Sequence, residues 1–270
     1  MITLIYIVSV FIIGSIVWFI RRLLAQNHNL FTENAKLSIE NRQIRNTQIT
    51  CKPQSLSGVF EIHVTIDPHN NFVSLLNYVK QYEKMRGMKV VFAVSSAKNN
   101  QYMLSYFTRK DDDKLAVDSA NKTAAELRDL GIEVIRVKVE GHNAEGTPMT
   151  TEDYKLVKSY LQSKYDTCAS QPYFEFHVKV SNRENDHLNY DILESDVRKY
   201  SGVSISHNLC SADRKPLLTI RVHDDGFLNA QSHKDYVMND MKKIGYVFGD
   251  KIHQEFAVYD SNISTDHGWL

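Results

Sequence analysis

Cysteine is scarce in this chain: Cys51, Cys168 and Cys210 are three among 270 residues. They are odd in number and widely scattered, and no C-x-x-C or Cys/His ligand spacing occurs. That argues against a disulfide scaffold and against zinc, and a reducing compartment fits best. Net charge is missing too, since 32 basic and 32 acidic residues cancel. No global field recruits nucleic acid, so any basic site must be local. A glycine-rich phosphate loop, a G-x-S-x-G elbow and an H-E-x-x-H pair are likewise absent. What remains is a composition of 43% apolar and 24% charged residues, typical of a globular chain and long enough for one large or two small domains.

One segment carries no charge at all. Ile2 to Ile20 is a run of nineteen residues, thirteen of them Ile, Leu, Val or Phe. As a helix it would span roughly 28 Å, against a hydrocarbon core of about 30 Å. Arg21 and Arg22 follow it, no positive charge precedes it, and no A-x-A cleavage pattern is present. The run therefore reads as a single-pass transmembrane anchor rather than a signal peptide, with the lipid bilayer as partner. Downstream Arg21, Arg22, Lys36, Arg42 and Arg45 place the C-terminal bulk in the cytosol by the positive-inside rule. Residues 1–22 are then the anchor and 23–57 a polar juxtamembrane linker.

From Val59 the hydrophobic period alternates between strand and helix. Strands are predicted at Val59–Ile66, Lys89–Ser95, Tyr102–Thr108 and Glu133–Val139, with helices near Phe72–Arg86 and Leu115–Leu130. The same order returns as strands at Tyr173–Val180, Val203–Leu209, Leu217–His223 and His253–Tyr259, with helices near Tyr190–Tyr200 and Ala230–Ile244. Gly87, Gly131, Gly202 and Gly245 stop the helices. Between the halves, Thr150-x-x-Asp153 reads as a capping box opening an extra helix over Thr150–Lys164. The expected fold is α/β (α+β): the transmembrane helix, then two tandem ferredoxin-like βαββαβ repeats at 58–145 and 171–270, joined by a connecting segment at 146–170. Each repeat would form its own four-stranded antiparallel sheet.

The repeats share a motif. Phe60-Glu61-Ile62-His63-Val64-Thr65-Ile66 returns as Phe174-Glu175-Phe176-His177-Val178-Lys179-Val180. Strict alternation puts the apolar residues on one side of each strand and Glu, His and Thr or Lys on the other. A sheet with one face in water gives the same alternation. Yet two histidines at equivalent positions of duplicated units can also act as a pair, one taking a proton while the other gives one, because imidazole titrates near ~6.5. Thr65 and Lys179, two residues on, could hold an anionic group there, and Arg221 and His223 lie on the strand expected beside His177. Glu61 and Glu175 would support the pair. His253 and Glu255 on the last strand could extend the site. Asp111-Asp112-Asp113 reads as the charged start of a helix rather than a metal cluster.

His63-Val64-Thr65-Ile66 resembles the H-x-(T/S)-x motif of the 2H phosphoesterases, which carry two such motifs on pseudo-symmetric strands. The resemblance implies metal-independent chemistry on 2′,3′-cyclic or 2′-5′ linked nucleotide phosphates, with His63 and His177 as acid/base pair, Thr65 as phosphate ligand, a nucleotide or RNA end as partner, and no cofactor or metal. The second motif departs from it, with Lys179 in the place of Thr or Ser. Two functions follow as expectations: a membrane-tethered ligand- or protein-binding module, or a membrane-anchored phosphoesterase.

Overall fold

The computed structural model describes residues 55–67, 72–95, 100–165, 171–182, 188–210 and 215–266. The first half runs β1 (Ser57–Ile66), α1 (Phe72–Arg86), β2 (Lys89–Ser95), β3 (Asn100–Lys110), α2 (Asp113–Asp129) and β4 (Val134–Glu145). After α3 (Thr151–Tyr165), the second half runs β5 (Tyr173–Asn182), α4 (Tyr190–Val197), β6 (Val203–Asn208), β7 (Leu217–His223), α5 (Phe227–Lys243) and β8 (Tyr246–Asp260). Both βαββαβ orders are as expected. The helix boundaries follow local chemistry. Asp112 caps α2 by accepting from the Lys114 backbone N at 2.6 Å. The capping box of α3 is reciprocal: Thr150 N donates to Asp153 Oδ2 at 3.0 Å, and Asp153 N donates to Thr150 Oγ1 at 3.1 Å.

The sheets are where expectation and structure part. The two halves do not form separate four-stranded sheets; their strands close into one eight-stranded barrel in the order β1-β3-β2-β6-β7-β5-β8-β4. Each half keeps the ferredoxin-like order β4-β1-β3-β2 or β8-β5-β7-β6. The four strands that would be sheet edges pair across the halves, Ala93 to Ser95 of β2 with Ser206 to Asn208 of β6, and Lys138 to Gly141 of β4 with Phe256 to Asp260 of β8. An open edge leaves a row of unpaired N–H and C=O groups, and closure satisfies them.

The membrane architecture is corrected as well. Among the described residues no helix is long and apolar enough to cross a membrane. The longest, α2 and α5, have 17 residues each and would reach only about 26 Å, with Lys, Asp and Arg along their outer faces. The described residues thus contain no spanning helix to support single-pass anchoring, a bilayer partner or a cytosolic orientation. Ile2–Ile20 and the linker up to residue 54 lie outside the described residues.

The alternation of β1 and β5 sets the two faces of the barrel wall. Phe60, Ile62, Val64 and Ile66 are buried with Leu75, Tyr78, Ala120 and Leu127 of the covering helices, and Phe174, Phe176, Val178 and Val180 belong to the same apolar core. The opposite face of both strands looks into the lumen. It is polar, and closure buries it.

Candidate functional site

The lumen holds a cavity of about 290 Å³ to which Glu61, His63 and Thr65 of β1 and Glu175 and His177 of β5 all contribute. The duplicated motifs therefore meet in one chamber. Arg136, Lys138 and Glu140 of β4, Thr219 and Arg221 of β7, and His253 and Glu255 of β8 line it too. His142 joins them at the level of Glu61 and Glu255.

These groups form a closed ring in which acids and bases alternate. His63 Nε2 stands 3.1 Å from Glu140 Oε2, and Lys138 Nζ stands 2.6 Å from Glu140 Oε1. Lys138 also pairs with Glu175, whose Oε1 lies 3.7 Å from His177 Nε2. His177 Nε2 is 3.3 Å from Glu255 Oε2, and His142 Nε2 is 3.0 Å from Glu255 Oε1. His142 then reaches Glu61 Oε2 at 3.1 Å, and Glu61 Oε1 lies 3.8 Å from His63 Nε2, closing the circuit. Outside the ring, Arg221 Nε and Nη2 hold Glu175 Oε1 at 2.8 and 2.7 Å. Arg136 is bidentate on Asp260, which also accepts from the Tyr173 hydroxyl at 2.9 Å.

Closure makes this an unusual electrostatic environment. Glu140 and Glu175 are fully buried, and Glu61 and Glu255 nearly so. Arg136 is committed to Asp260; Lys138 and Arg221 answer Glu140 and Glu175, and the exposed Lys89 reaches Glu61 at 3.6 Å, which leaves Glu255 facing His142 and His177. The remaining charge falls to protons on the imidazoles. Burial would push His142 down, but Glu255 and Glu61 outweigh it and hold its pKa up at about 10. Burial would likewise raise Glu61, yet His142 and His63 bring it down to about 2. His63 and His177 are raised against the pull of burial, the first by Glu140 and Glu61, the second by Glu175 and Glu255. Glu140 is the odd carboxylate. Its burial, with Glu255 and Glu175 nearby, raises its pKa despite Lys138, whereas Arg221 and Lys138 override the burial of Glu175 and drive it well below the usual range. His63 and Glu140, both raised, face each other at 3.1 Å, within reach of direct proton transfer.

Two buried polar atoms of the lumen, His63 Nδ1 and Thr65 Oγ1, make no hydrogen bond, whereas the Glu140 oxygens and Glu255 Oε2 are met by the charged partners of the ring. Buried polar groups are ordinarily satisfied, so these two atoms are candidate contacts for a ligand in the cavity.

The expected site residues divide. Glu61, His63, Thr65, Glu175, His177 and Arg221 come together in the lumen, as do His253 and Glu255. Lys179 is exposed and does not line the cavity. The β5–β8 ladder slips between Val178 and Val180, at the position of Lys179. The hydroxyl missing from the second motif comes instead from the neighbouring strand, where Thr219 Oγ1 lies 2.9 Å from His177 Nδ1. His223 also stands aside, half-buried with its ring 4.9 Å from that of Tyr173. Sequence reading missed Arg136, Lys138, Glu140 and His142. The signal was there: these four alternate along β4 in the same period as the motif on β1, which pairs with β4 so that Glu61 opposes Glu140 and His63 opposes Lys138.

Two triads in the lumen bring three donors close enough to share a cation, with their ligand atoms within 4.8 Å of one another: Glu61, His142 and Glu255, and Glu175, His177 and Glu255.

No family model matches this chain, and no curated protein matches it. Among solved structures it is similar to chlorite dismutase from Candidatus Nitrospira defluvii in complex with imidazole, at 10% identity over 74% of this chain and 91% of the other, with a TM-score of 0.25. A dye-decolorizing protein from V. cholerae is similar at 10% identity over 74% of this chain and 94% of the other, with a TM-score of 0.23. Likeness at that level carries no argument about this chain, and its function has to be read from the lumen itself.

Proposed function

We propose that the protein is a small-ligand-binding barrel that takes a polar, cation-bearing molecule into its lumen, where His63 and His177 exchange protons with it. The observation that carries this reading is the ring of four buried carboxylates around a 290 Å³ cavity, in which lysine and arginine reach Glu61, Glu140 and Glu175 while Glu255 faces the His142 and His177 imidazoles. A positive group entering the chamber replaces protons on the imidazoles and lowers the cost of the buried negative charge. The cavity lies near the lower end of small-molecule pockets, roughly 300–1,000 Å³. The phosphoesterase reading keeps one favourable observation: both motif histidines line one chamber, and Thr65 Oγ1 is unpartnered in it. Against it stand the same four carboxylates, which repel a phosphate.

The test is thermal unfolding of the full-length chain against small primary amines and amino acids, with 2′,3′-cyclic nucleotides as a second set. A ligand at a hundred times its Kd stabilises by about 2.7 kcal/mol, so at least one amine is expected to raise the unfolding midpoint, and Glu140→Gln to remove the shift. If no amine stabilises the protein, or if Glu140→Gln and His177→Ala leave the shift intact, the lumen is not the site. Turnover of a cyclic nucleotide that requires both His63 and His177 would favour the phosphoesterase instead.

A further inference from the structure

We infer that Glu61, His142 and Glu255 form a binding site for one divalent first-row transition-metal ion. The inference rests on the lumen being a cation-binding chamber and names the cation.

The geometry points to this triad and not to its neighbour. Donors bound to a metal at about 2.1 Å stand about 3.0 Å apart at right angles and about 3.4 Å apart in a tetrahedron. His142 Nε2 lies 3.1 Å from Glu61 Oε2 and 3.0 Å from Glu255 Oε1. A single imidazole N–H has to be split between the two carboxylates, whereas a metal held between the three donors meets each of them directly. The second triad is compromised, because Glu175 is already held by Arg221 and Lys138. In the first triad each carboxylate has one oxygen for the metal and a neighbour for the other. Ser105 Oγ donates to Glu61 Oε1 at 2.5 Å, and His177 Nε2 stands 3.3 Å from Glu255 Oε2. Such outer partners orient ligands.

The burial of the triad and the space beside it suit a bound ion. Glu255 is almost fully buried and no lysine or arginine is paired with it among the described residues, its oxygens meeting His142 at 3.0 Å and His177 at 3.3 Å. Glu255 also lines a second cavity of about 170 Å³ together with Gly141 and Asn143, the residues flanking His142, so the triad stands where an ion can arrive. Two carboxylates and an imidazole suit Mn²⁺, Fe²⁺ or Zn²⁺, while Mg²⁺ and Ca²⁺ favour all-oxygen shells.

The experiment uses the full-length chain, stripped with EDTA and titrated with Zn²⁺ by calorimetry and with Mn²⁺ by electron paramagnetic resonance. One ion per chain is expected, with affinity reduced at least about 100-fold in His142→Gln and in Glu255→Gln. Nitrogen coupling from one imidazole is expected in the Mn²⁺ spectrum of the unaltered protein, a readout that needs no variant to fold. Absence of saturable binding, affinity unchanged in both variants, or a Mn²⁺ signal without nitrogen coupling would each overturn the site. Amine stabilisation without metal binding removes the metal site and leaves the lumen reading standing; metal binding without amine stabilisation overturns the small-molecule reading and leaves the metal site standing.

Discussion

Lys138 is the residue on which the ring's balance turns. It is buried, and its ammonium bridges Glu140 and Glu175, two carboxylates that are themselves fully buried. Removing one partner of a buried ion pair leaves an uncompensated charge and costs about 3–5 kcal/mol. Lys138→Met is expected to destabilise by that amount in urea denaturation. Because Arg221 still holds Glu175, the exposed liability is Glu140, so adding Glu140→Gln to Lys138→Met should restore part of the loss. A double variant no better than the single one would mean that Lys138 acts by packing rather than by charge. The same residue illustrates what a sequence conceals. His63 and His177 were legible because each sits in a strand of unbroken alternation. Lys138 lies inside the strand expected at Glu133–Val139 but was not read as part of the site, and Glu140 and His142 fall beyond its expected end, on either side of Gly141, which the structure places in the interior of β4. That glycine has a packing cause: a Cβ there would come within 2.9 Å of the Ala144 Cβ and within 3.7 Å of the Phe60 ring. β4 runs on to Glu145 by giving up a side chain at one position.

At the level of elements, local chemistry was readable wherever it is self-contained. The capping box of α3, the aspartate cap of α2 and the glycine stops required no tertiary knowledge. Strand ends were less so. β8 begins at Tyr246, well before the His253 expected, because Gly249-Asp250-Lys251 interrupts its pattern where the ladder with β5 is irregular. One of the stops also shapes the site. Gly202 has φ +71°, and a Cβ on it would lie 2.3 Å from the carbonyl oxygen of Arg221. Arg221 N in turn donates to Gly202 O at 2.7 Å. The turn before β6 thus packs directly on the backbone that aims Arg221 at Glu175. Gly202→Ala combines left-handed strain with a backbone clash, and a cost of at least about 1–3 kcal/mol is expected in chemical denaturation. It should also weaken amine stabilisation of the lumen. A variant as stable as the parent would mean that the turn relaxes without moving β7.

At the scale of the whole molecule, the two βαββαβ halves were legible and their union was not. Nothing local records which partner an edge strand takes, and the seams rest on a few residue pairs, Ala93 to Ser95 at one and Lys138 to Gly141 at the other. Closure changes the physics of the polar face. On an open sheet Glu61, His63, Glu175 and His177 would be hydrated; in a barrel they are buried together, so their protonation becomes part of the folding equilibrium. The pH dependence of the metal-stripped protein follows. His142 is faced by Glu61 from β1, Glu255 from β8 and the Phe107 ring from β3. Its pKa rises from 6.5 to about 10 on folding, so its contribution is complete below pH 6.5 and is lost as pH climbs through about 10. Glu61 falls from 4.5 to about 2, so its contribution is complete above pH 4.5 and is lost as pH drops towards 2. Their joint contribution is therefore largest between pH 4.5 and 6.5 and declines on both sides. Urea midpoints from pH 3 to 10 would trace this profile, and His142→Gln should flatten the alkaline limb. A midpoint level from pH 6.5 to 10, or an alkaline limb of the same slope in His142→Gln, would mean that the imidazole does not carry its proton into the fold.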